Sequence, residues 1–233
     1  MAFGDLEGLT LKAVDEDLFR NIVSLRKSQD LFDDLSDDPE DWSAAIELEI
    51  TCKPPQFQSG HPIIDRPFEE AAFFEAIRFP FENFGASRFS SSHFGVWYGS
   101  ETLETTIHET VHHWRNGLLR DAGWQDIEGV AIERRVHLVQ CNGALVNLVP
   151  MSEEWPELRS DDYAACQALG ASFDRQGLPG LLTLSARCNG VNAAVFNPAL
   201  LSNPRAHCYL TYKVEKGQVK VCRSEDEELI SVL

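Results

Sequence analysis

Leu103, Ile107, Val111, Trp114 and Leu118 recur at steps of three and four residues, a single apolar stripe that commits residues 101–119 to a helix packed by one face. Ser100 stands where that helix would take its N-cap, with Glu104 one place late for the reciprocal contact of a capping box. A one-faced helix needs a layer to lie on, and the flanking sequence supplies strands. VWYGS (96–100) reads as a short apolar strand. Residues 130–139 and 144–148 read as two strands separated by an Asn142-Gly143 turn. Residues 180–185 and 193–196 read as strands flanking the loop ARCNGVN, and CYLTYKVEKGQVKVC (208–222) as a hairpin turning at Lys216-Gly217. A short helix is expected over 161–169. No βαβ rhythm recurs, so the expected class is α+β and not a doubly wound sheet.

The N-terminal third has a different character. Residues 1–50 carry 14 acidic and 4 basic side chains, a net of −10. The acidic block DLFDDLSDDPED (30–41) reads as a solvated loop and helix start, with Pro39 near N1 of a helix through WSAAIELEI. The alternative is a surface that meets a basic partner. KPPQFQSGHPIID (53–65) is a connecting loop, residues 68–77 are periodic and helical, and FPFENFGASRFSSSHFG (79–95) is loop-like. The expected organisation is an acidic extension, 1–80, packed on a core of residues 81–233 within one compact domain.

With 37 acidic against 20 basic residues the chain carries −17, which argues against a general nucleic-acid or anionic-membrane surface but leaves room for a local basic pocket. Six scattered cysteines without a CxxC pair fit a reducing cytoplasm. The start lacks the basic-then-apolar pattern of a signal peptide, and no apolar run approaches a membrane span.

Two motifs compete on the helix. His108-Glu109-Thr110-Val111-His112 matches HExxH, whose histidines share a helix face and can reach one Zn²⁺. The extended form is missing: Leu118 stands where a third histidine belongs, and Arg115 where a glycine does. Glu128 and Glu133 remain as third-ligand candidates on what reads as a strand. A zinc metalloprotease is thus an alternative, and the expected metal content is none. Glu109 lies opposite the apolar stripe, so the helix presents it on its other face, as a solvated glutamate or as an acid site.

Upstream and downstream of Glu109 stand GASRFSSSHFGVWYGSETLETTIHETVHHW and GLLTLSARCNGVNAAVFNP. Together they resemble the RES-domain family, bacterial toxins of toxin–antitoxin pairs named for Arg, Glu and Ser residues. The resemblance rests on the arginine–aromatic pair, the strand ending in tyrosine and a small residue, and the helix that follows. It also rests on the Ser-Ala-Arg loop and the Asn-x-x-x-Phe-Asn-Pro finish at 192–198. It covers about residues 15–212. It implies an ADP-ribosyltransferase-like fold of split sheets and consumption of NAD⁺ as substrate, by glycohydrolase or phosphorylase chemistry, with no other cofactor. By resemblance the active-site set is Arg88, Tyr98, Glu109 and Ser185. Arg20 near the first strand reaches the pocket, Asn192 supports the Ser185 loop, and Arg187 is a second phosphate ligand or a surface group. The implied partner is a small helix-turn-helix antitoxin, with DNA contacted only through it; a homodimer is a further option.

The chemistry suits those side chains. Breaking the nicotinamide–ribose bond of NAD⁺ develops oxocarbenium character that a carboxylate, Glu109, can stabilise. Arg88 offers a charged fork for pyrophosphate, and Tyr98 a ring face for nicotinamide with a phenol for orientation. Ser185 is expected to anchor substrate and not to attack it, because no histidine–acid pair stands at recognisable spacing. Water, inorganic phosphate or a protein side chain could accept the ADP-ribosyl group, so protein ADP-ribosylation is an alternative, as is a non-catalytic binding protein of the same fold. The absence of GxGxxG and P-loop motifs disfavours hydride transfer and ATP hydrolysis.

Overall fold

β3 (Ala131–Asn147) is the longest strand and organises the molecule; the computed structural model describes residues 8–24, 74–224 and 227–232. Along one edge of β3 runs β1 (Thr10–Val23), antiparallel and unbroken from Thr10↔Asn147 to Val23↔Arg134. The other edge is shared. Its first part pairs with β6 (Leu201–Glu215) as far as Cys141↔Leu201, and its last part pairs in parallel with β4 (Gly180–Leu184) from Val146↔Leu181. The sheet therefore forks between Cys141 and Val146. One branch continues through β7 (Gln218–Ser224) to β8 (Glu227–Val232), and the other through β5 (Val191–Val195) to β2 (Trp97–Ser100). β2 meets β1 again at Phe19↔Ser100, so hydrogen bonding joins all eight described strands in one α+β sheet whose second branch closes into a ring.

The Asn142-Gly143 turn expected from sequence does not form. β1 pairs straight through it, with Asp15↔Asn142 and Val14↔Gly143, and Asn142 Nδ2 donates to Asp15 Oδ1 at 3.1 Å. A long partner strand outweighs a local turn preference. The Lys216-Gly217 hairpin does form, both residues adopting positive φ (52° and 74°) as a tight two-residue turn between β6 and β7 requires.

α2 (Leu103–His113), preceded by the short α1 (Phe79–Glu82), takes Thr102 and not Ser100 as its N-cap, the Thr102 hydroxyl accepting from Thr105 N. Ser100 remains in β2, where its hydroxyl has another partner. Ile107, Val111 and Trp114 are buried as the stripe requires, but Leu118 is 65 % exposed. Residues 114–119 wind as a π-helical turn, and its wider repeat carries Leu119 inward in place of Leu118. α3 (Ala164–Arg175) begins three residues later than expected and extends six further. The helices cover sheet faces whose core residues include Trp97, Leu145, Leu181 and Tyr212.

Residues 10–23, within the expected 1–80 extension, are a strand of the sheet itself. The acidic block 30–41, the helix through 42–50, the loop 53–65 and most of the 68–77 helix lie outside the described residues; its last part, Phe74–Arg78, is helical. No helix among the described residues is long and apolar enough to cross a membrane.

Candidate active site

A cavity of about 390 Å³ lies where α2 crosses the ringed branch of the sheet. β1 contributes Arg20 and Asn21, β2 Tyr98 to Ser100, β4 Thr183 and Leu184, and β5 Asn192 and Ala194. The loop before β2 adds Arg88 and its neighbours, while α2 adds Thr106, Glu109, Thr110 and His113. The 2.0-residue period of the strands and the 3.6-residue period of the helix thus bring distant parts of the chain to one wall.

Glu109 is anchored through one oxygen. Its Oε1 accepts from Ser185 Oγ at 2.6 Å and from Asn192 Nδ2 at 2.8 Å. No hydrogen bond from the described residues falls on Oε2, which is left for a ligand. Each anchor is itself held. Asn192 Oδ1 accepts from Ser100 Oγ at 2.7 Å, and Ser185 Oγ accepts the backbone N–H groups of Arg187 and Cys188 at 3.0 and 3.2 Å. Ser185 is wholly buried behind the carboxylate and does not line the cavity. Asn192 and Ser185 meet at the same Glu109 oxygen.

Arg88 is pinned from behind. Its Nη1 donates to the carbonyls of Leu158 and Ser160 at 3.2 and 2.5 Å, and its guanidinium lies 4.5 Å from the centre of the Tyr163 ring. Both Arg88 and Glu109 line the cavity without a salt bridge between them. Tyr98 turns its phenol toward the Arg88 loop, accepting from Phe89 N at 3.1 Å and donating to Ser87 Oγ at 3.0 Å. Burial pushes that phenol up to about 12, so it stays neutral and acts as a brace for the loop.

Arg20 sits at the floor, its Nη1 donating to Tyr98 O at 2.8 Å and its guanidinium 5.6 Å from the Trp97 ring centre. Burial and then the neighbouring Arg134 pull it down to about 10, far enough above neutrality that the charge is kept. Neither Arg20 nor Arg88 has a carboxylate partner among the described residues. Both guanidiniums line one cleft of an acidic chain. The Arg187 side chain pairs with Asp161 and lines a different cavity.

Sequence reading missed the layer beneath. Arg134 Nε donates to Asn21 Oδ1 at 2.6 Å and its Nη2 to Asn21 O at 3.0 Å. Asn21 Nδ2 in turn donates to Tyr212 OH at 2.8 Å and to Thr110 Oγ1 at 3.2 Å. This network fixes β1 against α2 one residue away from both Arg20 and Glu109. Its signal was present in Arg134, which alternates with Ile132 and Val136 at the apolar positions of a strand. Tyr163 and His113 were missed as well. Burial lowers the His113 imidazole, against the pull of Glu109.

His108 and His112 do share one side of α2, but the third-ligand candidates are engaged elsewhere. Glu128 Oε2 accepts from Lys216 N and Glu133 Oε1 from Thr211 Oγ1. Among the described residues no group of three or more His, Cys, Asp or Glu is placed to hold a metal ion.

Fold and cavity together define an α+β protein whose cleft is lined by two arginines and holds a fixed carboxylate. The chain belongs to the RES-domain family, whose model, described as "RES domain", matches residues 63–215. That span contains Arg88, Tyr98, Glu109, Ser185, Arg187 and Asn192, while Arg20 precedes it. Among solved structures the chain is similar to the M. tuberculosis MbcT–MbcA toxin–antitoxin complex, with a TM-score of 0.45, 12 % identity and 86 % of each chain covered. No curated protein matches it in sequence.

Proposed function

We propose that this chain is the toxin of a toxin–antitoxin pair and acts in the cytoplasm by cleaving the nicotinamide–ribose bond of NAD⁺, on an ADP-ribosyltransferase-like version of the α+β fold. The observation that carries the reading is the Glu109 carboxylate, anchored through Oε1 by Ser185 and Asn192 in a cleft that also holds Arg20 and Arg88, neither with a carboxylate partner among the described residues. Family membership supports the same reading. A dinucleotide brings a pyrophosphate for the arginines and a ribose for the carboxylate.

In this mechanism the C–N bond to nicotinamide breaks and its electron pair leaves with the ring, which departs neutral. The ribose C1 gains positive character, stabilised by Glu109 Oε2. Water then attacks C1 and loses a proton to give ADP-ribose, or a phosphate oxygen attacks to give the 1″-phosphate. The Arg88 and Arg20 guanidiniums hold the diphosphate, and Tyr98 keeps the Arg88 loop in place. Ser185, with its hydroxyl spent on Glu109 and on two loop amides, positions the carboxylate. The partner in this proposal is an antitoxin that covers the toxin and carries any contact with DNA.

The test is incubation of purified protein with NAD⁺, with and without phosphate, and identification of products by mass spectrometry. Glu109→Gln is expected to reduce turnover by about 10³-fold or more with little change in folding. Turnover at the parent rate in that variant, or no NAD⁺ loss in the parent, overturns the reading.

A further inference from the structure

A second cavity, of about 230 Å³, opens on the other flank of α2. His108, His112, Arg115 and Asn116 line it from the helix and its continuation, and Arg187 lines it from the 185–190 loop. Among the described residues no carboxylate side chain lines it, although acidic residues outnumber basic ones 37 to 20 in the chain. Two guanidiniums repel a cation, which disfavours a metal ion between the imidazoles.

The cationic groups are partly unused. Arg187 is 14 % exposed, and its buried Nε meets no acceptor among the described residues. Arg115 has no carboxylate within ion-pair distance among them. Among the described residues two acids reach its lining from outside, and Glu104, 73 % exposed, lies 3.8 Å from His108 Nε2. Asp161, 72 % exposed, pairs with Arg187 Nη2 and lies 3.9 Å from His112 Nε2. An exposed carboxylate between a half-buried guanidinium and an imidazole occupies a place suited to an oxyanion, and an incoming anion can displace it at little cost because its water-facing side is already solvated.

We propose that this second cavity binds a phosphate group, held by Arg187, Arg115 and His112, with Asp161 as the carboxylate it displaces. The planar forks of two arginines match a tetrahedral oxyanion, and the volume accepts a phosphate with few further atoms and not a dinucleotide. The phosphate comes either free or as the monoester of a small molecule. The inference stands apart from NAD⁺ cleavage, since Arg20 and Arg88 belong to the first cavity and only Ala186 lines both. It bears on that site through one residue: Ser185, next to Ala186, holds Glu109.

Calorimetric titration of the full chain in phosphate-free buffer at fixed ionic strength tests it, with inorganic phosphate in one arm and glycerol phosphate in the other. Saturable binding in either arm is expected, and the arm that binds identifies the source. Arg115→Gln should weaken it about tenfold and Arg187→Gln by at least as much, through loss of a charge-assisted bond. Asp161→Asn removes a competitor from an exposed position where folding is not at stake, and should tighten binding about threefold or more. Arg88→Gln should leave the affinity unchanged. No saturable binding in either arm overturns the proposal. So does binding that survives Arg115→Gln but is lost in Arg88→Gln, which puts the phosphate in the first cavity, and so does an affinity indifferent to Asp161→Asn.

Discussion

Ser185→Ala separates a positioning serine from a nucleophilic one. The substitution removes one hydroxyl with three bonds: the 2.6 Å donation to Glu109 and the acceptance of two loop amides at 3.0 and 3.2 Å. The first is a hydrogen bond to a charged group, of the order of 1.5–3 kcal/mol, and the amides lose their acceptor inside a closed loop. Part of this returns when the loop relaxes, so a net destabilisation of about 2–4 kcal/mol is expected. It should appear in urea unfolding as a lower midpoint at constant slope. Glu109 keeps Asn192 as its single anchor, and a carboxylate displaced by a fraction of an ångström should cost turnover about 10- to 100-fold. That corresponds to about 1.4–2.8 kcal/mol of barrier, with KM for NAD⁺ little changed. The double variant supplies the control. If Ser185 acts through Glu109, adding Ser185→Ala to Glu109→Gln should lower turnover by less than about twofold. A full additional loss in the double variant, or a single variant with parent stability and parent rate, would refute the reasoning.

Arg88→Lys keeps the charge but loses the carbonyl-held fork and the stacking on Tyr163, so KM for NAD⁺ should rise about tenfold with kcat changed far less. Equal affinity in steady-state assays would remove Arg88 from the binding role. Gly170→Ala places a Cβ 2.0 Å from the Phe89 carbonyl oxygen, a backbone atom that cannot step aside. It should cost about 2–3 kcal/mol in urea unfolding and loosen the Arg88 loop along with α3. His137, fully buried with neither ring nitrogen bonded among the described residues, is pulled down to about 4 by burial and then by Arg135 and Arg20. Its unfolded form takes a proton near its ordinary 6.5, so the unfolded chain binds more protons between those values and stability falls as pH drops from 6.5 to 4. The loss is about 3 kcal/mol, and urea midpoints across that range should fall less steeply in His137→Leu. An unchanged profile in the variant would assign the pH dependence elsewhere.

What could be read from the residues follows the range of the forces involved. The buried side of α2 was legible from its stripe as far as Trp114, because a period of 3.6 is a local property; it failed at Leu118, where the helix widens. The Lys216-Gly217 turn was legible because positive φ is decided by the two residues themselves. Asn142-Gly143 carries the same kind of signal and gave no turn, since β1 arrives from more than a hundred residues away to pair across it. Arg88, Tyr98 and Glu109 line one cavity, whereas spacing alone indicated a possible acid site. The Arg134–Asn21–Tyr212–Thr110 network was not read, although an arginine at an apolar strand position announces a buried partner. Burial on β3 also changes phase at the register shift between Val136 and His137, which buries both neighbours and hides the alternation.

The length of β1 has a consequence for how the molecule is made. Its partner on β3 is translated only at residues 134–147, and the cavity that begins with Arg20 is walled last by Thr183, Asn192 and Ala194. A nascent chain therefore carries β1 unpaired while the more than one hundred residues that separate it from its partner on β3 are made, with contacts so distant in sequence that closure is slow. Arg20 on β1 and the carboxylate's anchors, Ser185 and Asn192, cannot meet until residue 192 has been made, so the cavity cannot assemble before then.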